Sequence, residues 1–180
     1  MAQGVMLSEA KHLGSSEQTQ FLLRMTVNGE ATEQLIELAE TLAEVLRERL
    51  HLTGTKISCD MQVCGACTVL VDGLPVSACT YLAYEARDRD VLTIEGLAEP
   101  DGPLHPLQQA FIDENGFQCG FCTPGMILAA KSLLDRNPDA CEAEIVAYME
   151  GNLCRCTGYR PIVRAIQNAQ LIIADGGSHA

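Results

Sequence analysis

The chain has 180 residues, room for one domain or for two small ones sharing an interface. Hydrophobic residues make up 47% and charged residues 20%, the composition of a folded chain and not of a disordered one. The formal net charge of −12 argues against a nucleic-acid partner, whose phosphates call for Lys and Arg. Aromatics are 4% with no Trp, so small cores would need other support, which nine cysteines could give by binding metal. No apolar stretch approaches the ~20 residues of a membrane span. The N-terminal run MAQGVMLSEAKHLGSSEQTQ lacks both the apolar core of a secretory leader and a twin-arginine pair, so a cytoplasmic location is expected. In that reducing compartment, cysteine-rich chains bind metal more often than they form disulfides.

Residues 1–20 read as a mobile arm. Phe21–Val27 is strand-like and runs into the turn pair Asn28-Gly29, after which Ala31–Leu38 can return as the second arm of a hairpin. Leu42, Val45, Leu46 and Arg49 stand at helical spacing within Thr41–Leu50. Thr68–Val71, Asp72-Gly73 and Pro75–Ala78 form a second hairpin pattern, and Val91–Ile94 a last short strand. Turn formers crowd residues 97–104, as in a linker. Beyond it the period is helical. Leu104, Leu107, Ala110 and Phe111 share one face of a helix stopped by Gly116. Thr123 is placed to cap a second helix that has Pro124 at its first position and runs to Arg136. A third covers Glu142–Glu150 and a fourth begins at Pro161, followed by a short tail at 176–180. The expected class is α+β: a sheet domain at 21–98, then an all-α four-helix bundle at 99–175.

The cysteines carry the chemistry. Cys59-x4-Cys64-x2-Cys67, with eleven residues between Cys67 and Cys79, is the plant-type ferredoxin spacing, and four thiolates satisfy a [2Fe–2S] cluster at two per iron. Gly65 and Ala66 are small enough to let backbone N–H groups approach the sulfurs. A zinc tetrathiolate usually shows paired C-x2-C knuckles, and this half has one. Cys119-x2-Cys122 opens the second helix and Cys154-x-Cys156 follows the third, again four thiolates. A cluster or a structural zinc could occupy them, with C-x-C awkward for zinc. The helix N-terminus near Thr123 favours the negative charge of a cluster. Cys141 is left over and reads as a buried small hydrophobe, with a helix cap or a reactive thiol as alternatives. His12, His51, His105 and His179 have no second ligand or base at helical spacing and read as structural or solvated. Glu33, Glu37, Glu40 and Glu44 read as a solvated face. No dinucleotide fingerprint, P-loop or nucleophile–base pair is present, so the chain is equipped to move electrons and not to transform an organic substrate.

Three long motifs then match one family. Gly54-Thr-Lys-Ile-Ser-Cys59 through Cys64-Gly-Ala-Cys-Thr-Val69, Gln118-Cys-Gly-Phe-Cys-Thr-Pro-Gly-Met126 and Gly151-Asn-Leu-Cys-Arg-Cys-Thr-Gly-Tyr159 resemble the small iron–sulfur subunit of molybdenum hydroxylases, the xanthine dehydrogenase, aldehyde oxidase and carbon monoxide dehydrogenase family. The resemblance implies a plant-type ferredoxin-like (β-grasp) domain with a [2Fe–2S] cluster on Cys59, Cys64, Cys67 and Cys79. It implies a four-helix-bundle domain with a second cluster on Cys119, Cys122, Cys154 and Cys156. It further implies a large partner subunit holding a molybdenum–pterin dinucleotide, a medium partner subunit holding FAD, and a dimer of such heterotrimers. Electrons left on molybdenum by carbon hydroxylation would pass one at a time through the C-terminal and then the N-terminal cluster to FAD. In relatives the residues matching Gln118 and Cys156 contact the pterin, and both are carried over here. Ser58 and Gln62 stand where relatives usually have glycine, which predicts backbone strain of about 1 kcal/mol or more at Gln62 if φ is positive and a changed potential at the N-terminal cluster. A free-standing two-cluster ferredoxin and a zinc-stabilised binding module are the competing classes. An exposed apolar patch on the bundle would favour the subunit reading over the first.

Overall fold

The expected first hairpin forms from β1 (Gln20–Val27) and β2 (Glu30–Glu37), joined by Asn28 at φ 53° and Gly29 at φ 82°. Two successive positive φ values give the turn whose twist matches that of the strands. The computed structural model describes residues 20–98 and 101–176. The arm expected to be mobile lies outside these residues apart from Gln20, which pairs with Glu37 and so belongs to β1; residues 177–180 of the tail lie outside as well. Alternation puts Leu23, Met25 and Val27 of β1 inside.

The helix at Leu42 is irregular. α1 (Leu42–Glu44) widens into a π-helical turn at Val45–Arg49, where Leu50 N–H reaches back to Val45 C=O at 3.1 Å. Leu42, Val45 and Leu46 are nevertheless all buried, as their spacing predicts. Thr41 and Glu44 form a reciprocal capping box at its start, and Glu40 pairs with Arg49 while Glu33 pairs with Arg24. The acidic run is therefore partly employed in a cap and surface pairs, not purely solvated. β3 (Thr68–Val71), β4 (Leu74–Ser77) and β5 (Asp90–Leu92) complete a five-stranded mixed sheet of order β2-β1-β5-β3-β4, in which only β1 and β5 run parallel. The last strand stops at Leu92, and Ile94 lies in a 3-10 turn, Ile94–Gly96, where the sequence suggested strand.

Four helices follow: α2 (Pro106–Asp113), α3 (Thr123–Arg136), α4 (Glu142–Met149) and α5 (Arg160–Ala174). They share a second core of Leu107, Phe111, Met126, Ile145, Ile162 and Ile166, separate from the sheet core of Leu23, Ile36, Leu46, Val69 and Val91. Leu97 already packs in the helical core. The class is α+β.

Three expectations fail here. Leu104 precedes α2 and is exposed, because His105 is the N-cap: its Nδ1 accepts the Leu107 N–H at 3.2 Å, and the Gln108 side chain accepts the His105 N–H at 3.0 Å. Thr123 does not cap α3; it is the first helical residue, Cys122 takes the cap position, and Pro124 falls within the first turn. Cys141 is exposed, not buried, and takes the helix-cap alternative: it is the N-cap of α4, where Glu144 accepts its backbone N–H at 2.8 Å.

The halves meet along α3 and β3. β3 is buried at every position: Val69 and Val71 face the sheet core, and Thr68 and Leu70 face the side covered by α3. Ser132 Oγ donates to Gly73 C=O at 3.0 Å across this seam. Gly125 is required to lack a side chain, since a Cβ there would stand 2.3 Å from Gly65 O.

Candidate metal centres

The N-terminal cysteines gather where the loop before β3 meets the turn after β4. Cys67 and Cys79 belong to the buried sheet core, while Cys59 and Cys64 are half-buried. The thiols meet in pairs. Cys64 N–H donates to Cys59 Sγ at 3.4 Å, as does Val63 N–H at 3.4 Å, and the Cys67 and Cys79 side chains interact with each other. The N–H groups of Met61, Val63 and Cys64, in that order, lower the Cys59 thiol to about 7. Burial pushes the Cys67 thiol up to about 12, against the Cys79 N–H, which favours thiolate. The amides that reach Cys59 sulfur are those of Met61, Val63 and Cys64, and the Cys79 N–H reaches Cys67. The small residue at Gly65 has another cause: φ is +68°, and a Cβ there would lie 2.5 Å from Asn152 Nδ2 and 2.6 Å from Gly151 O.

Gln62 has φ +60° and Asp60 φ +54°, so the loop does impose a left-handed backbone on a glutamine; Ser58 does not share it. Thr80 Oγ1 donates to Gln62 Oε1 at 3.1 Å and ties the strained residue to the segment just after Cys79.

The C-terminal cysteines come from two loops, one ahead of α3 and one between α4 and α5. Cys156 Sγ lies 3.6 Å from Cys119 Sγ, and the Cys122 and Cys154 side chains interact. Two thiolates on one tetrahedral ion with bonds of about 2.3 Å stand about 3.8 Å apart, so the Cys119/Cys156 spacing already suits a shared iron. Cys119 and Cys156 are exposed, whereas Cys122 and Cys154 are half-buried against the helical core. Burial pushes the Cys122 thiol up to about 12, with the Cys154 side chain adding. Burial also raises Cys154, but the Thr157 hydroxyl and N–H, 3.2 Å and 3.5 Å from Cys154 Sγ, together with the Cys156 N–H and the Cys122 side chain, outweigh it, and the net shift is down. The hydrogen bond to Cys119 raises Cys156. The Gln118 amide donates to Cys156 C=O at 2.9 Å, so the structure brings the two expected pterin-contacting residues together on the exposed edge. Thr123 Oγ1, next to Cys122, is a buried donor without a partner among the described residues, a group that sulfide-bearing ligands could satisfy.

Among the described residues, no three His, Cys, Asp or Glu side chains form a group able to hold a single metal ion. The arrangement is instead two thiol pairs in each half. A dimetal cluster with two thiolates per iron fits this donor set, and the iron charge would make thiolates of Cys67 and Cys122 despite their burial. Sequence reasoning missed three supporting residues: Thr157, Tyr159, whose Oη accepts the Cys154 N–H at 2.9 Å, and Asn152. All three lie in the third motif, where cysteine spacing drew the attention.

Residues 11–110 match the family described as a 2Fe-2S iron-sulfur cluster binding domain, and residues 93–167 match that described as a [2Fe-2S] binding domain. The nicotinate dehydrogenase small FeS subunit of Eubacterium barkeri is 48% identical over 147 residues, 82% of this chain and 93% of that one. Quinoline 2-oxidoreductase of Pseudomonas putida 86 superposes with a TM-score of 0.83 at 40% identity, covering 88% of this chain and 99% of the matched chain. The aldehyde oxidoreductase of Desulfovibrio desulfuricans gives 0.82 at 42% identity over 86% of this chain, which spans only 17% of that longer polypeptide. The same unit therefore occurs both as a separate chain and as one part of a larger one. No helix among the described residues is long and apolar enough to cross a membrane. With two iron–sulfur domain matches and relatives aligned over nearly their whole length, the chain belongs to the iron–sulfur subunit family of the molybdenum hydroxylases, and is part of an oxidoreductase.

Proposed function

We propose that this chain is the electron-transfer subunit of a cytoplasmic molybdenum hydroxylase, with a ferredoxin-like domain and a four-helix-bundle domain each holding one [2Fe–2S] cluster. Cys59 and Cys64 hold one iron of the N-terminal cluster, and Cys67 and Cys79 the other. Cys119 and Cys156 hold one iron of the C-terminal cluster, and Cys122 and Cys154 the other. When bound, such a cluster takes up and gives up one electron at a time. Amides at Cys59 and the Thr157 hydroxyl at Cys154 stabilise negative charge on sulfur, the lever by which a protein tunes such a centre.

The observation that carries this reading is the pairing of eight cysteines, two by two, in both halves. Direction comes from exposure. Cys119, Cys156 and Gln118 form an open edge flanked by Phe117 and Phe121, each at least 40% exposed. This edge would face a molybdenum–pterin group on a large partner subunit, with Gln118 and Cys156 as its contacts. The N-terminal site, bordered by exposed Met61 and Val63, would face FAD on a medium subunit. Val146 on α4, Leu171 on α5 and Leu153 in the loop between them add exposed apolar surface to the helical half, which supports a partner-bound subunit over a free ferredoxin. A dimer of heterotrimers is the assembly the family suggests.

Isolating the tagged chain with its bound partners and assaying iron, zinc, molybdenum and flavin tests the proposal. About four irons per chain, the content of two [2Fe–2S] clusters, with molybdenum and flavin on two larger subunits, is the expected result. Zinc in place of iron contradicts it.

A further inference from the structure

The backbone carbonyl of Gly65, midway between ligands Cys64 and Cys67, accepts an unusual number of donors. Thr68 contributes its N–H at 3.2 Å and its hydroxyl at 2.8 Å, and Asn152 Nδ2 reaches the same oxygen at 2.9 Å from the other half of the molecule. Asn152 is 6% exposed, and its Nδ2 is also 3.3 Å from Thr68 Oγ1. Its own N–H is fixed to Met149 C=O at the end of α4 at 3.0 Å. The next residue, Leu153, donates its N–H to Cys64 C=O at 2.8 Å. Two consecutive peptide carbonyls of the N-terminal ligand loop are therefore held by two consecutive residues of the C-terminal ligand loop, directly before Cys154.

The loop so held is the one that spans the N-terminal site. Cys64 belongs to the pair with Cys59, and Cys67 to the pair with Cys79, so the Cys64–Cys67 segment links the two pairs. A displacement of the Gly65 peptide moves ligands of both irons. The fit is close on every side, since a Cβ on Gly65 would strike Asn152 and one on Gly125 would strike Gly65 O. Removing the buried Asn152 amide takes one of three donors from Gly65 O and opens a gap beside the loop, leaving the peptide held only from its own half by Thr68.

We propose that Asn152 is a positioning residue for the N-terminal cluster, acting from the C-terminal half by fixing the Gly65 peptide between Cys64 and Cys67. The two cluster sites are thereby mechanically one unit at this point. This rests on the proposed function only in requiring that a cluster occupy the N-terminal site.

The test uses the intact complex with Asn152→Ala, Asn152→Asp and Asn152→Gln. The readouts are electron paramagnetic resonance of the two reduced clusters, their midpoint potentials, and the rate of iron loss to a chelator. Loss of one signal in Cys67→Ser assigns the N-terminal cluster beforehand, and a wild-type complex without iron would overturn the proposed function before any Asn152 variant is made. In Asn152→Ala the N-terminal signal and potential shift, and that cluster loses iron about tenfold faster, the range expected for a buried hydrogen bond. The C-terminal signal stays as in wild type. Asn152→Asp, which sets a carboxylate oxygen against Gly65 O, gives a larger change in the same direction. Asn152→Gln keeps the amide one methylene further out and gives a smaller one, and serves where the other two do not accumulate. A purely structural role of the 151–156 loop would disturb the C-terminal cluster first, because Cys154 is two residues away. An unchanged N-terminal cluster, or an equal or larger change at the C-terminal one, overturns the proposal.

Discussion

The two cysteine sites solve one ligand problem with opposite use of burial. In the N-terminal site three cysteines sit on one loop and the fourth follows a hairpin, and Cys67 and Cys79 are part of the sheet core. In the C-terminal site the ligands come from two loops held by three helices, and Cys119 and Cys156 lie on the surface. Burial raises the cost of a bare thiolate and protects a cluster from water; exposure leaves an edge through which a neighbouring group can be reached. The difference leaves the C-terminal site with the more open edge.

Stability should separate the sites most strongly. Cys67→Ser puts a hydroxyl into the sheet core and is expected to destabilise the cluster-free chain by about 1–3 kcal/mol, whereas Cys119→Ser should stay within about 0.5 kcal/mol. Urea unfolding of both variants measures this, and equal losses would show that the two sites do not differ in burial. Gln118→Ala, which removes the amide from Cys156 C=O on the open edge, is expected to slow substrate-driven cluster reduction in the complex about tenfold, the equivalent of one hydrogen bond. Reduction by dithionite should be unaffected.

Alkylation sharpens the same contrast. In the cluster-free chain the Cys59 thiol, lowered to about 7, should be modified by iodoacetamide first as pH rises through neutrality. Cys67 and Cys122, pushed up to about 12, should be modified last, which peptide mass spectrometry can order. A smaller effect is expected at Gln62, where φ is +60°. Gln62→Gly should stabilise the chain by about 0.5–1 kcal/mol by removing left-handed strain, less the bond to Thr80 and the entropy of glycine, and should shift the N-terminal potential alone. The smallest lies at α4. Glu144, held below its ordinary value of 4.5 by the Cys141 N–H, contributes to the helix start above that pH. This contribution is lost as pH falls through the lowered value, so protection of the Cys141 amide relative to its intrinsic exchange rate should drop there while staying constant in Glu144→Gln.

Much of this was legible beforehand because the determinants are local. The turn pairs Asn28-Gly29 and Asp72-Gly73 carry their own positive φ values, and the cysteine spacings announce thiolate sites. What failed depended on helix starts and long-range packing. Thr123 and His105 are both cap-like by neighbourhood to proline, yet the imidazole caps and the threonine does not, a choice set by where each chain enters its helix. The π-helical turn at Val45–Arg49 keeps the same residues buried as an α-helix, so periodicity could not distinguish them. The need for glycine at 65 has a further source that spacing could not show, the close approach of Asn152, 87 residues away in sequence.

On the proposed function, each half of the molecule holds its own one-electron centre. A potentiometric titration of the intact complex followed by electron paramagnetic resonance tests it most directly, with Cys67→Ser and Cys122→Ser alongside. The expected result is two separate one-electron signals, of which Cys67→Ser removes one and Cys122→Ser the other. A single signal in the unaltered protein, or both signals lost together in either variant, would contradict it.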